Sequence, residues 1–182
     1  VDQIQYNSGD QDFSSAITKI KGMDFDVIYV SGYYNEAGKI IKQAKDAGID
    51  TPILGTDGFD SETLIDQAGK DYCNNVYFTT AYTAIDPSEQ LSKFIEEYKA
   101  EYNENPGMFA ALAFDATNLL LDELQASGKS GAELNEAIKK VNYTGVTGAF
   151  TFDESNHTPI KPVLVVELVN GEQSNVTPVD VK

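Results

Sequence analysis

Over the first 80 residues, short apolar runs alternate with helix-length amphipathic stretches, an order that builds β-α-β units and little else. Residues 1–6 read as a short strand. Asp12 then reads as an N-cap, with Phe13, Ala16, Ile17 and Ile20 at i, i+3, i+4 and i+7 and Gly22 as the stop. The run Val27-Ile28-Tyr29-Val30 suits a strand buried on both faces. A second helix carries Ala37, Ile40, Ile41 and Ala44, and Gly48 ends it. Pro52-Ile53-Leu54 is a short strand before the turn Gly55-Thr56-Asp57-Gly58. Leu64, Ile65 and Ala68 mark a third helix, and Val76-Tyr77-Phe78-Thr79 a further strand. Repeated crossovers of this kind imply a parallel sheet with right-handed connections.

The pattern then changes. Asp86-Pro87-Ser88-Glu89 reads as a capping box with Pro at the first helical position, ahead of Leu91, Phe94, Ile95, Tyr98 and Tyr102 on one face. Asn105-Pro106 breaks the chain. A longer helix follows from about Phe109 to Gln125, and Ser130 with Glu133 opens another. The tail is β: Phe150-Thr151-Phe152, then Val163–Val169, with Asn170-Gly171 as a hairpin turn. Three successive helices with wide apolar stripes have almost no sheet of their own to bury them on. Either their partner sheet lies upstream of this sequence, or the helices pack on one another and on the tail.

Composition narrows the function. The chain has 182 residues, 41% hydrophobic and 23% charged, as in an ordinary folded protein. Its 29 acidic against 13 basic residues give a formal charge of −16. That surface repels phosphate backbones and anionic lipid, so neither nucleic acid nor a membrane surface is an expected partner. No apolar run approaches the roughly 20 residues needed to cross a bilayer. Cys73 and His157 are the only residues of their kinds. An internal disulfide is excluded, and a catalytic triad or zinc site would have to be built around one imidazole. No metal and no cofactor are expected. Gly55-Thr56-Asp57-Gly58 lacks the lysine and spacing of a phosphate loop. Asp153-Glu154-Ser155-Asn156 reads as a polar turn rather than a calcium loop. The chain begins at Val1 and shows no leader, as expected of a processed product or of a piece of a longer protein, the second being favoured.

Three stretches together resemble the branched-chain amino-acid substrate-binding proteins of ABC transporters, which have a type I periplasmic-binding-protein fold. They are Ser31-Gly32-Tyr33-Tyr34-Asn35-Glu36-Ala37 through Ala44; Gly48-Ile49 through Pro52-Ile53-Leu54-Gly55-Thr56-Asp57-Gly58; and Phe94 to Tyr98 with Ala111-Leu112-Ala113-Phe114-Asp115-Ala116 and Gly145-Val146-Thr147-Gly148. The resemblance spans the whole chain and matches only the C-terminal half of the family. It implies an α/β fold whose two lobes close over a small ligand. Residues 1–80 and 160–182 would belong to the second lobe. The helices and short strand of 81–159 would belong to the first lobe, whose sheet is mostly absent here. It also implies a non-enzymatic, extracytoplasmic protein, in periplasm or as a cell-surface lipoprotein, that delivers an amino acid to an ABC permease. A ligand-binding sensor domain of a receptor shares the architecture and is the alternative.

Four residues are candidates for the ligand site. Tyr33 and Asp57 follow the C-terminal ends of predicted parallel strands, where open α/β sheets bind ligands. One β-α-β step separates them. A carboxylate in a dry cleft can hold an ammonium group through a charge-assisted hydrogen bond, and a phenol adds an acceptor or a ring face. The resembled family has an acidic residue and a tyrosine in these two motifs; it often carries Glu where this chain has Asp57, so the shorter acid must sit closer or act through water. The residues alone leave other readings open: Asp57 as a turn residue, Tyr33 as a strand-end aromatic packed on a helix. Phe109 is either an apolar wall for the ligand side chain or a core aromatic. Tyr82 lines the cleft or packs at the interlobe crossover. Tyr34 should point away from Tyr33.

Overall fold

The computed structural model describes residues 2–153, 155 and 157–179. Its elements run in chain order α1 (Ser14–Lys21), β1 (Ile28–Val30), α2 (Tyr34–Asp46), β2 (Ile53–Gly55), α3 (Glu62–Ala68), β3 (Val76–Thr80), α4 (Glu89–Tyr102), α5 (Met108–Ser127), α6 (Gly131–Ile138), β4 (Tyr143–Gly145), β5 (Gly148–Phe152), β6 (Pro159–Ile160), β7 (Val163–Val169) and β8 (Glu172–Val179). Single 3₁₀ turns lie at Asp57–Phe59 and Lys70–Tyr72. The chain divides into two compact units. One runs up to Thr80 and takes in Val165–Thr177; the other holds Ala81–Leu164.

The first unit is a mixed sheet in the order β1-β2-β3-β7-β8. The first three strands are parallel, with Val30 opposite Gly55 and Gly55 opposite Phe78. Asn170 and Gly171, both at positive φ (52° and 76°), form the two-residue turn between β7 and β8. Two positive φ values match the right-handed strand twist, which is why Asn-Gly serves there. Ile17, Ile41, Leu64 and Ala68 of the helices pack with Ile53, Val76, Phe78 and Val166 of the strands in one apolar core. Cys73 is fully buried in it, and burial raises its thiol pKa to about 11, leaving it unreactive at neutral pH.

Two expectations need correction here. The strands are buried on one face only. Tyr29, Leu54 and Tyr77 share one register row, and Tyr29 is 64% and Leu54 37% exposed. All three helices packed in this core cover the opposite face, and in the Tyr29 row only Tyr77 is half-buried, its hydroxyl donating to Glu167 at 3.1 Å. Residues 2–6 form no strand, because no described residue pairs with their backbone; Val1 lies outside the described residues. This segment is held by Tyr6 instead. Its hydroxyl donates to the Ser31 carbonyl (2.7 Å) and its ring packs edge-on against Phe13.

The second unit holds α4, α5, α6 and a three-stranded antiparallel sheet in the order β4-β5-β6. Ser88, not Asp86, is the N-cap of α4, accepting from the Leu91 N–H at 3.2 Å. Asp86 sits at φ 48°, which removes it from the cap register. Leu91, Phe94, Met108, Ala111 and Val146 form a small core. The other side of α5 keeps Phe114, Leu120, Leu121 and Leu124 exposed. Phe114 meets the Phe94 ring of α4 at a centroid distance of 4.8 Å, while Leu120, Leu121 and Leu124 stay more open. The 153–156 turn is described only at Asp153, which accepts from the Ser155 N–H and hydroxyl, and at Ser155; Glu154 and Asn156 lie outside the described residues.

One-sided burial has a measurable consequence. In the 182-residue chain, Ile53→Ala is expected to cost about 2–5 kcal/mol in urea unfolding. Leu54→Ala, one residue on, should cost about 1 kcal/mol or less. Equal losses at the two positions would mean that both faces are packed.

Candidate functional site

Asp57 and Tyr33 stand at the C-terminal tips of adjacent parallel strands, β2 and β1. Tyr33 is the extended N-cap residue of α2, and its ring is 61% exposed. Tyr34, next to it, packs against the core instead. Asp57 opens a 3₁₀ turn whose other members, Gly58 and Phe59, are buried, as is Asp60 after it, while Asp57 is exposed. The turn is anchored on the Tyr33 side. The Thr56 hydroxyl donates to the Gly32 carbonyl at 3.1 Å. Gly58 lies so close to that segment that a Cβ there would collide with the Gly32 carbonyl and stand 3.2 Å from Tyr33 Cα. Only glycine permits this approach. The fold thus brings the Asp57 turn and Tyr33 together, as one β-α-β step of separation implied.

The other two candidates belong to the second unit. Phe109, the second residue of α5, is 46% exposed. Tyr82 is 5% exposed and packs with Leu91, Phe94, Met108 and Ala111. Its ring is a core element of that unit. Nearby, the sulfur of Met108 accepts from the Ala81 N–H at 3.4 Å.

Asp115 explains the spacing of the third motif. It is buried on α5 and accepts from the Val146 N–H (2.8 Å), the Thr147 N–H (2.8 Å) and the Thr147 hydroxyl (2.6 Å). Three donors satisfy a carboxylate that would otherwise be costly to bury. The Lys161 ammonium donates to the carbonyl and hydroxyl of Thr147, both at 2.9 Å. Desolvation lowers the Lys161 pKa, and the nearby Asp115 charge opposes that shift. Asp115 therefore ties α5 to the β4–β5 turn, a structural task.

Asp60 was not singled out by the sequence pattern. It precedes Ser61, the N-cap of α3, and so reads as an ordinary acidic residue at a helix start. Yet it is only 7% exposed. Its Oδ2 accepts from the Thr80 hydroxyl at 2.6 Å and its Oδ1 from the Gln173 amide at 3.1 Å. Desolvation raises its pKa to about 6, with both hydrogen bonds pulling the other way. Thr80 and Gln173 lie 20 and 113 residues away in sequence, so no local signal could have revealed the burial. Among the described residues no group of three or more His, Cys, Asp or Glu is arranged to hold a metal ion, and no helix is long and apolar enough to cross a membrane.

Comparison with known proteins gives a consistent result. Residues 1–173 match the family described as "Periplasmic binding protein". The leucine-, isoleucine-, valine-, threonine-, and alanine-binding protein of Pseudomonas aeruginosa is 28% identical over 149 residues, which is 81% of this chain and 39% of that protein. The crystal structure of the branched-chain amino acid transporter substrate-binding protein LivJ from Streptococcus pneumoniae, in complex with isoleucine, superposes with a TM-score of 0.86 at 40% identity, covering 97% of this chain and 51% of that one. The leucine-binding protein LivK from Thermotoga maritima superposes with a TM-score of 0.80 at 34% identity, covering 96% and 49%. The chain spans about half the length of these structures and about two fifths of the Pseudomonas protein.

The raised Asp60 pKa predicts a pH dependence of stability. The folded chain holds the Asp60 proton more tightly than the unfolded chain does, where the pKa is the ordinary 3.8. Its contribution is therefore full below pH 3.8 and is lost as pH rises through about 6. Asp60→Asn removes that dependence. In urea unfolding, the stability of wild type relative to the variant should fall by about 2 kcal/mol between pH 4 and pH 7. Parallel pH profiles for the two proteins would contradict the shift.

Proposed function

We propose a function for this chain from one premise: it belongs to the periplasmic binding protein family. On our reading it is part of an extracytoplasmic solute-binding protein that captures an amino acid, branched-chain by preference, and delivers it to an ABC permease. The task is binding, not catalysis. The observation that carries the reading is the Asp57 carboxylate, exposed on a buried turn beside Tyr33 at the tips of two parallel strands. Such a group is an acceptor for an ammonium ion carried on an anchored turn, and little else in that turn is available to a ligand. Tyr33 offers its hydroxyl or its ring face to the same cation.

The preference for a branched-chain ligand draws support from the relatives: the Pseudomonas protein is named for leucine, isoleucine, valine, threonine and alanine, the Streptococcus structure holds isoleucine, and the Thermotoga protein is named leucine-binding. In this proposal Phe109 supplies an apolar wall for the ligand side chain. Tyr82, 5% exposed and packed with Leu91, Phe94 and Met108, is assigned to packing at the crossover rather than to lining the cleft. The ligand carboxylate is held by hydroxyls and backbone N–H groups, most of them from sequence beyond these 182 residues. That assignment accords with a chain about half as long as the solved structures it matches. Residues 1–80 and 160–182 are proposed as one lobe of the complete protein, and 81–159 as part of the other.

Calorimetry on the full-length gene product with leucine, isoleucine and valine tests the reading. Asp57→Ala should weaken binding by about 3–5 kcal/mol, the cost of leaving the ligand ammonium unpaired in a closed site. An unchanged affinity would refute the role of Asp57. The isolated 182-residue chain should bind the same amino acids weakly or not at all, and tight binding by it would refute the division of the pocket.

A further inference from the structure

Asp60 lies three residues after Asp57 and closes the same turn, its N–H donating to the Asp57 carbonyl at 3.2 Å. Its carboxylate reaches into the protein. One oxygen takes the hydroxyl of Thr80, the last residue of β3, and the other takes the amide of Gln173, near the start of β8. Those two strands are not neighbours, since β7 runs between them. A single side chain therefore binds the turn to two separate strands. A neutral residue would fill the same space without the cost of burying a charge, so packing alone gives no reason for a carboxylate here. What a carboxylate adds is two strong, directional acceptors on one rigid group.

The rest of the turn is fixed in a complementary way. Thr56 is tied to the Gly32 carbonyl, and Phe59 is buried in the core beside Phe78. Asp57 lies between these two anchors, with Asp60 closing the turn, and it alone is exposed. We infer that Asp60 is a positioning residue for amino-acid binding: through Thr80 and Gln173 it locks the turn so that the Asp57 carboxylate is oriented before the ligand arrives. The inference rests on the ammonium-binding role of Asp57 proposed above. It makes the affinity of the site depend on a hydrogen bond the ligand never touches, because an acceptor already in place loses less conformational freedom on binding.

A double-mutant cycle on the full-length gene product tests it, with L-isoleucine as the calorimetric probe. Thr80→Val removes the 2.6 Å donor to Asp60 at nearly constant volume, and Thr80→Ser retains it. Thr80→Val should weaken isoleucine binding about tenfold, in the range a hydrogen bond to a charged group is worth. Thr80→Ser should stay within about twofold of wild type. In an Asp57→Asn background, Thr80→Val should cost no more than about twofold further, because its effect runs through Asp57. Thermal melts of the same samples establish that each variant is folded at the assay temperature. If Thr80→Val does not fold, Gln173→Met removes the other donor and is read in the same cycle. Wild-type affinity in Thr80→Val, beside a weakened Asp57→Asn, would overturn the inference and leave the Asp57 assignment standing. The same tenfold loss in both backgrounds would overturn it too, by showing a general structural effect. Undiminished binding by Asp57→Asn, or no binding of isoleucine by wild type, would overturn both readings.

Discussion

The Thr56–Asp60 turn is anchored at three points, and the candidate site depends on that anchoring. A hydroxyl ties its start to the neighbouring strand tip, a phenylalanine sinks into the core at its centre, and a buried carboxylate fastens its end to two strands. The consequence is selective exposure, in which one charged side chain is left outside a segment that is otherwise inside. An acceptor carried on an anchored backbone has less conformational freedom to lose on meeting a cation. Parallel pairing of β1, β2 and β3 supplies the rest, since it puts every loop of this kind at the same edge of the sheet.

The same structure is open where a complete α/β protein would be closed. One face of the first unit's sheet carries Tyr29 and Leu54 toward solvent, and one side of α5 carries Phe114, Leu120, Leu121 and Leu124. Apolar surface of this extent is normally covered. The chain spans about half the length of the solved structures it matches, and the lobe division proposed above assigns the cover of these faces to the rest of such a protein.

Features set by local chemistry were legible in the sequence. The β-α-β order follows from apolar runs and helical periodicity, the β7–β8 hairpin from Asn170-Gly171, and the meeting of Tyr33 with the Asp57 turn from one crossover's length. The apolar stripes of the helical block were legible, but not which sides pack within the unit: Leu91, Phe94, Met108 and Ala111 do so with Val146, while Leu120, Leu121 and Leu124 stay exposed. What could not be read depended on distant residues. A run such as Val27–Val30 looks the same whether one face or both are covered, because the cover lies elsewhere in sequence. Residues 2–6 have strand-like composition but no backbone neighbour to pair with among the described residues. Tyr82 and Asp60 carry no mark of burial; the first is enclosed by helices that begin later, the second by Thr80 and Gln173. Asp86 and Ser88 compete for one cap, and a positive φ at Asp86 decides between them.

The most direct test of the account is a crystal structure of the full-length gene product bound to isoleucine. The account predicts the ligand ammonium within roughly 3 Å of an Asp57 carboxylate oxygen, a charge-assisted hydrogen-bond distance, with the Tyr33 side chain against the same group. An Asp57 side chain turned into bulk water, with the ammonium held by other residues, would contradict it.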